Sequence, residues 1–171
     1  MPDIVIRLAT PDEAALLPDI ERSAGTAFLS IPGLEWIASE GVMSAGVHRI
    51  HIDEGTVWVA ISAACCIGFL TAAQYGRSLH IVELSVADGH QGKGVGRRLM
   101  ETAKEYAEAA GLHDLTLTTF RDLSFNEHFY QKLGFQTLDE ADLPQRLADL
   151  LLSEVDHGLP GDRRCAMRLT L

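Results

Sequence analysis

The chain has 171 residues, 47% hydrophobic and 22% charged, which is enough apolar material for one buried core and argues against a disordered chain. With 14 Lys and Arg against 24 Asp and Glu the net charge is −10, and an acidic chain has no bulk attraction for polyanions, so nucleic acid is not an expected partner. Three cysteines, two of them the neighbours Cys65 and Cys66, make no disulfide framework and fit a reducing, cytoplasmic setting.

Asp3, Asp12, Glu13 and Asp19 interrupt the N-terminal stretch, so no signal peptide is expected. Ile4–Leu8 reads as a first strand. Thr10-Pro11-Asp12-Glu13 reads as a helix start, with Thr10 able to cap and Glu13 able to close a capping box. Pro18 is expected to kink or shorten that helix. Residues 25–55 read as a mixed loop-helix region containing Pro32-Gly33 and Trp36. The uncharged run Val57–Ala73 would only just cross a ~30 Å bilayer core as a helix. Its opening Val-Trp-Val-Ala-Ile favours strands, and the run is read as a hairpin joined near Ala63–Cys66, with no membrane partner. Strands are expected near 56–62, 66–75 and 79–87.

From Val95 to Ala110, Val95, Leu99, Ala103, Tyr106, Ala107 and Ala110 recur at helical spacing, with Arg97, Arg98, Glu101, Lys104, Glu105 and Glu108 largely opposite. Gly111 suits a left-handed stop. Leu115–Phe120 alternates as a strand. Ser124-Phe125-Asn126-Glu127 reads as a second capping box, starting a short helix that Gly134 stops. A helix over Pro144–His157 and a strand over Cys165–Leu171 complete a single α/β domain, residues 1–171, with a mixed sheet and helices on both faces.

The informative stretch runs from Glu83 to Arg98, where a strand enters a glycine-rich turn and the turn enters an amphipathic helix. Glycines let main-chain N–H groups converge, and a helix N-terminus adds unpaired donors and a positive dipole end. Lys93, Arg97 and Arg98 add positive charge, so a phosphate or pyrophosphate is the natural ligand. A Walker loop is disfavoured because Gly94 follows Lys93 where Ser or Thr belongs. A dinucleotide fingerprint is disfavoured because Arg97 stands where its last glycine belongs. The alternative is a glycine turn that merely starts a helix.

Gln91-Gly92-Lys93-Gly94-Val95-Gly96-Arg97-Arg98 after Glu83-Leu84-Ser85-Val86 resembles the acetyl-CoA motif [QR]-x-x-G-x-[GA] of the GCN5-related N-acetyltransferase (GNAT) superfamily. Asn126-Glu127-His128-Phe129-Tyr130-Gln131-Lys132-Leu133-Gly134-Phe135 is similar to that family's second helix motif. The resemblance covers 79–135 well, 56–75 by pattern, and carries no motif elsewhere. It implies a mixed, mostly antiparallel sheet and acetyl-CoA as cosubstrate, with no metal. It places pyrophosphate on the amides from Gln91 through Gly92, Lys93, Gly94, Val95 and Gly96 to Arg97, and the pantetheine arm along Leu84, Ser85 and Val86. Asn126 matches a residue that contacts the arm, and Tyr130 the acid that protonates departing CoA thiolate. A phenol, with an unperturbed pKa of ~10, holds its proton at neutral pH.

Glu83 is the candidate base, because a carboxylate within the apolar strand His80–Val86 should lose hydration and rise in pKa; a salt-bridged or solvent-facing Glu is the alternative. Cys65 and Cys66 have no nearby His or acid in sequence and read as buried packing. His48, His51 and Asp53 match no zinc spacing and read as surface or loop residues. Residues 1–60 hold three Arg against nine Asp and Glu, a net −6, which points to a small cationic amine as acceptor or simply to a soluble surface. Two alternatives stay open: acetylation of a protein N-terminus or lysine, and a non-catalytic acyl-CoA sensor. Homodimers are common in the family, and nothing in this sequence fixes one.

Overall fold

The computed structural model describes residues 2–171. Its strands are hydrogen-bonded in the order β1 (Ile4–Leu8), β2 (Val57–Ser62), β3 (Cys65–Tyr75), β4 (Ser78–Val86), β5 (Asp114–Phe120), β7 (Arg164–Thr170), β6 (Gln136–Thr137). The described residues form two compact units: residues 2–73 with Ile81–Tyr106, and Gln74–His80 with Ala107–Leu171.

In the first unit β1 (Ile4–Leu8) pairs antiparallel with β2 (Val57–Ser62), from Ile4 opposite Ser62 to Leu8 opposite Trp58. β2 pairs antiparallel with β3 (Cys65–Tyr75), with a bulge where Ala60 faces Gly68 and Ile61 faces Cys66. The uncharged run is thus the predicted hairpin, and among the described residues no helix is long and apolar enough to cross a membrane. Its joint is tighter than expected. Only Ala63 and Ala64 turn, both with left-handed φ (49° and 64°), the geometry that matches strand twist but usually recruits Asn or Gly. Cys65 and Cys66 therefore begin a strand. Cys65 is exposed, which corrects the expectation of burial, while partial burial pushes the Cys66 thiol pKa up.

After β1 a 3-10 segment, Pro11–Leu16, leads into α1 (Leu17–Gly25). The Thr10 amide donates to the Glu13 carboxylate at 2.8 Å, and Arg7 clamps the same carboxylate at 2.6 and 3.0 Å. Pro18 lies in the first turn of α1, where its missing N–H costs no hydrogen bond, so it opens the α-helix rather than kinking it. α2 (Ala45–Asp53) was not resolved as a helix by the sequence pattern; Ser44 caps it by accepting from the Val47 amide at 3.2 Å. Ala14, Leu17, Ile20, Ile52, Val57, Val59 and Phe69 form one core cluster. His48 is fully buried in α2 and is not the surface residue expected.

β4 (Ser78–Val86) gives its first three residues to the second unit and the rest to the first. α3 (Val95–Ala109) buries Val95, Leu99, Ala103 and Ala107 as its period predicts. It also buries Met100, while Ala110 lies exposed beyond its end. Gly111 takes the expected left-handed φ of 70°.

In the second unit Ser78–His80 pair parallel with Asp114–Thr116 of β5 (Asp114–Phe120). β5 pairs antiparallel with β7 (Arg164–Thr170), which also pairs with the two-residue β6 (Gln136–Thr137). The unit's helices are α4 (Glu127–Lys132) and α5 (Gln145–Asp156). α5 is tied to the sheet by polar side chains. Glu154 accepts from Thr118 Oγ1 at 2.6 Å and Arg164 Nε at 3.1 Å. Arg146 donates to Thr116 Oγ1 at 3.0 Å and lies 4.3 Å over the Tyr75 ring.

Candidate active site

The glycine turn belongs to the first unit. β4 ends at Val86, the Ala87 amide donates to Ile67 O at 2.9 Å, and the Asp88 amide donates to Ser23 Oγ at 2.8 Å. Gly92 and Gly94 take left-handed φ of 72° and 83°, which an L side chain rarely adopts. A Cβ on either would meet no atom within 4 Å, so the reason for glycine is main-chain geometry and an open approach to the turn. Gln91 Nε2 donates to Val86 O at 2.9 Å and Lys93 Nζ to Gly89 O at 2.6 Å. Side chains thus occupy carbonyls of the turn, and its amides and the N-terminus of α3 offer donors to an anion.

Of the three cations expected to serve that anion, Lys93 is folded back onto the turn and Arg97 is paired with Glu101 at 2.8 Å. Gln91, Gly92, Lys93, Gly94 and Arg97 are exposed, Gly96 is half-buried and Val95 is buried at the start of α3. Leu84, Ser85 and Val86 occupy the last turn-ward residues of β4. The Ser85 hydroxyl is committed to Glu83 Oε1 at 2.7 Å. Glu83 is half-buried on the same strand.

Asn126 and Tyr130 belong to the second unit. The predicted capping box does not form at Ser124. Asn126 is the N-cap residue, and Glu127 makes contacts that sequence spacing hides. Its carboxylate accepts from the Asp122 amide (3.0 Å), Thr137 Oγ1 (2.7 Å) and Cys165 Sγ (3.5 Å). Burial alone would raise its pKa, but these donors outweigh it and hold the carboxyl below the usual range. Burial and the same carboxylate push the Cys165 thiol up to about 12. Asp122, Glu127 and His128 bring potential ligand atoms within 4.8 Å of one another, but Glu127 is already occupied by its three donors.

Glu127 therefore anchors the start of the helix that carries Tyr130. The Tyr130 side chain is buried, with its ring edge-on to Phe129 at 5.1 Å and to Phe135 at 5.7 Å. Asn126 Oδ1 is buried and has no protein partner, a position that an amide N–H of a bound ligand would satisfy. Gly134 takes φ 99° and ends the helix as expected. Glu127 was legible only as a local cap, because its partners Thr137 and Cys165 come from β6 and β7.

Comparison with known proteins identifies the family and the fold. Residues 27–135 match the family model described as acetyltransferase (GNAT) family. The chain is 28% identical over 125 residues to N-acetyltransferase family 8 member 2 of Rattus norvegicus, covering 68% of this chain and 55% of that protein. It is 32% identical over 85 residues to streptothricin acetyltransferase of Streptomyces lavendulae, covering 48% and 45%. The chain thus spans about half the length of these curated relatives. The fold is similar to that of a PaiA N-acetyltransferase from Thermoplasma acidophilum solved with coenzyme A, with TM-score 0.73, 17% identity and 99% of both chains covered. Sequence match, fold and turn geometry agree, and the chain belongs to the acetyltransferase (GNAT) family.

Proposed function

We propose that the protein transfers an acetyl group from acetyl-CoA to a primary amine of a small cationic molecule, directly and within a ternary complex. The observation that carries this reading is the turn between β4 and α3, where left-handed Gly92 and Gly94 leave main-chain donors open to a pyrophosphate. Leu84, Ser85 and Val86 offer strand backbone to an amide-bearing arm, and Asn126 Oδ1 offers an acceptor.

A neutral amine nitrogen attacks the thioester carbonyl, the C–N bond forms and the C–S bond breaks. Glu83, directly or through water, takes the proton that the nitrogen loses. Tyr130 gives its phenolic proton to the departing thiolate. A β4 main-chain N–H near Leu84 steadies the oxygen on which negative charge develops. The acidic balance of residues 1–60 supports a cationic acceptor.

The test is an acceptor panel followed by CoA release. Turnover with small primary amines supports the proposal. Turnover with peptides alone replaces the acceptor by a protein terminus or lysine. Tight acetyl-CoA binding without turnover on either class makes the protein a sensor.

A further inference from the structure

One buried polar set in the first unit is used by none of the steps above. His48 of α2 is fully buried, with Nδ1 3.2 Å from Thr71 Oγ1 on β3 and its ring edge-on to Phe69 at 5.0 Å. His48 Nε2 is buried without a hydrogen-bond partner and faces Glu21 Oε2 of α1 at 3.9 Å, too long for a hydrogen bond. Glu21 accepts from the Met43 amide at 3.2 Å, and its side chain keeps 18% exposure, so it can be reached from solvent. Burial pushes the Glu21 carboxyl pKa up, against the pull of the Met43 amide and Arg22. Burial, and His51 to a lesser degree, push His48 down to about 4, so it is neutral near pH 7 and supplies no countercharge. A half-buried carboxylate facing a neutral imidazole gains from an added cation.

Two contacts tie the elements that carry this set to β4 and the turn that follows it. α1 is tied to the turn through Ser23, two residues after Glu21, which accepts from the Asp88 amide. The Ala87–Ile67 hydrogen bond and the closeness of Gly68 to Val86 set β3, the strand that carries Thr71, against β4. Other charges on these elements already have partners: Asp19 with Arg22, Asp53 with Arg49, and Glu54 beside His51.

We infer that Glu21, backed by His48, is the specificity-determining carboxylate that receives a second ammonium group of the acceptor, so that the preferred acceptors are diamines or larger polycations. The attacking nitrogen must be neutral, so the charge that Glu21 recognises belongs to another nitrogen of the same molecule. This inference rests on the acetyl transfer proposed above. Its test compares diaminobutane with its isostere aminopentane as acceptors. The wild-type protein should show at least about tenfold higher kcat/KM for the diamine, the ratio expected of one partly buried ion pair. Glu21→Gln, which keeps an acceptor for the Met43 amide, should collapse that ratio toward one through KM, and Glu21→Asp should restore part of it. An unchanged ratio in Glu21→Gln overturns the assignment. If that variant does not fold, equal kcat/KM for the two amines in the wild type overturns it equally. Failure of the wild type to acetylate any small amine overturns it together with the proposed acceptor class, whereas turnover without a diamine preference overturns this inference alone.

Discussion

In the turn after β4 the path is set by the main chain: three glycines, Gly89, Gly92 and Gly94, with left-handed φ, and carbonyls taken up by Gln91 and Lys93, while Gln91 to Gly94 lie exposed. At α4 buried side chains do this work. Glu127 gathers three donors from separate parts of the chain, Tyr130 sits between Phe129 and Phe135, and Asn126 keeps a buried oxygen without a protein partner. A site built from main chain tolerates side-chain exchange except where φ is constrained. A site built from side chains responds to loss of a single atom.

That contrast is open to direct attack. Gly94→Glu forces an L residue toward φ 83° and sets a carboxylate on the turn. Strain of ~1–2 kcal/mol plus charge repulsion should weaken acetyl-CoA binding by about 1000-fold, measured by calorimetry. Binding of normal affinity would remove the phosphate role of the turn. Tyr130→Phe should leave acetyl-CoA affinity in place and lower kcat by about 100-fold, the usual scale for a general acid. An unchanged rate across pH would remove the acid role. Lys93→Ala, which breaks only the contact to Gly89 O, should weaken binding by about threefold, consistent with one exposed charge near an anion. A loss comparable to that of Gly94→Glu would mean that side chains, not amides, hold the anion.

The two units also make the same response to acid. His48 in the first and His80 in the second are each pushed down to about 4, chiefly by burial. Folded-state values below the unfolded value of about 6.5 mean that the unfolded chain binds more protons as pH falls. Their stabilising contribution is intact above pH ~6.5 and is lost as pH falls from there toward about 4. Between about pH 7 and pH 5 the loss should be about 2 kcal/mol for each histidine, read from urea midpoints. His48→Asn or His80→Asn should flatten that slope; an equal slope in both variants contradicts the assignment.

Much of this was legible in the sequence. α3 could be read because its apolar period matches its burial, the hairpin because an uncharged run that opens on strand formers is buried almost throughout, and the turn because its glycines stand between a strand and a helix start. α2 could not, because its pattern is inverted: Val47 and Ile50 are exposed while His48 is buried. A polar residue buried through one hydroxyl on a distant strand leaves no periodic trace. The roles of Glu127 and Arg146 were hidden for the same reason, since their partners are brought in by β5, β6 and β7. The two-alanine turn was legible only as a joint near Ala63–Cys66, because alanine carries no signal for left-handed φ.

The most direct test of the account is a titration of coenzyme A into isotope-labelled protein, followed at each backbone amide. Saturable binding with the largest shifts at Gln91 to Arg97 is the predicted result. Absence of saturable binding, or saturation that leaves the amides of Gly92, Gly94 and Gly96 unmoved, would contradict it.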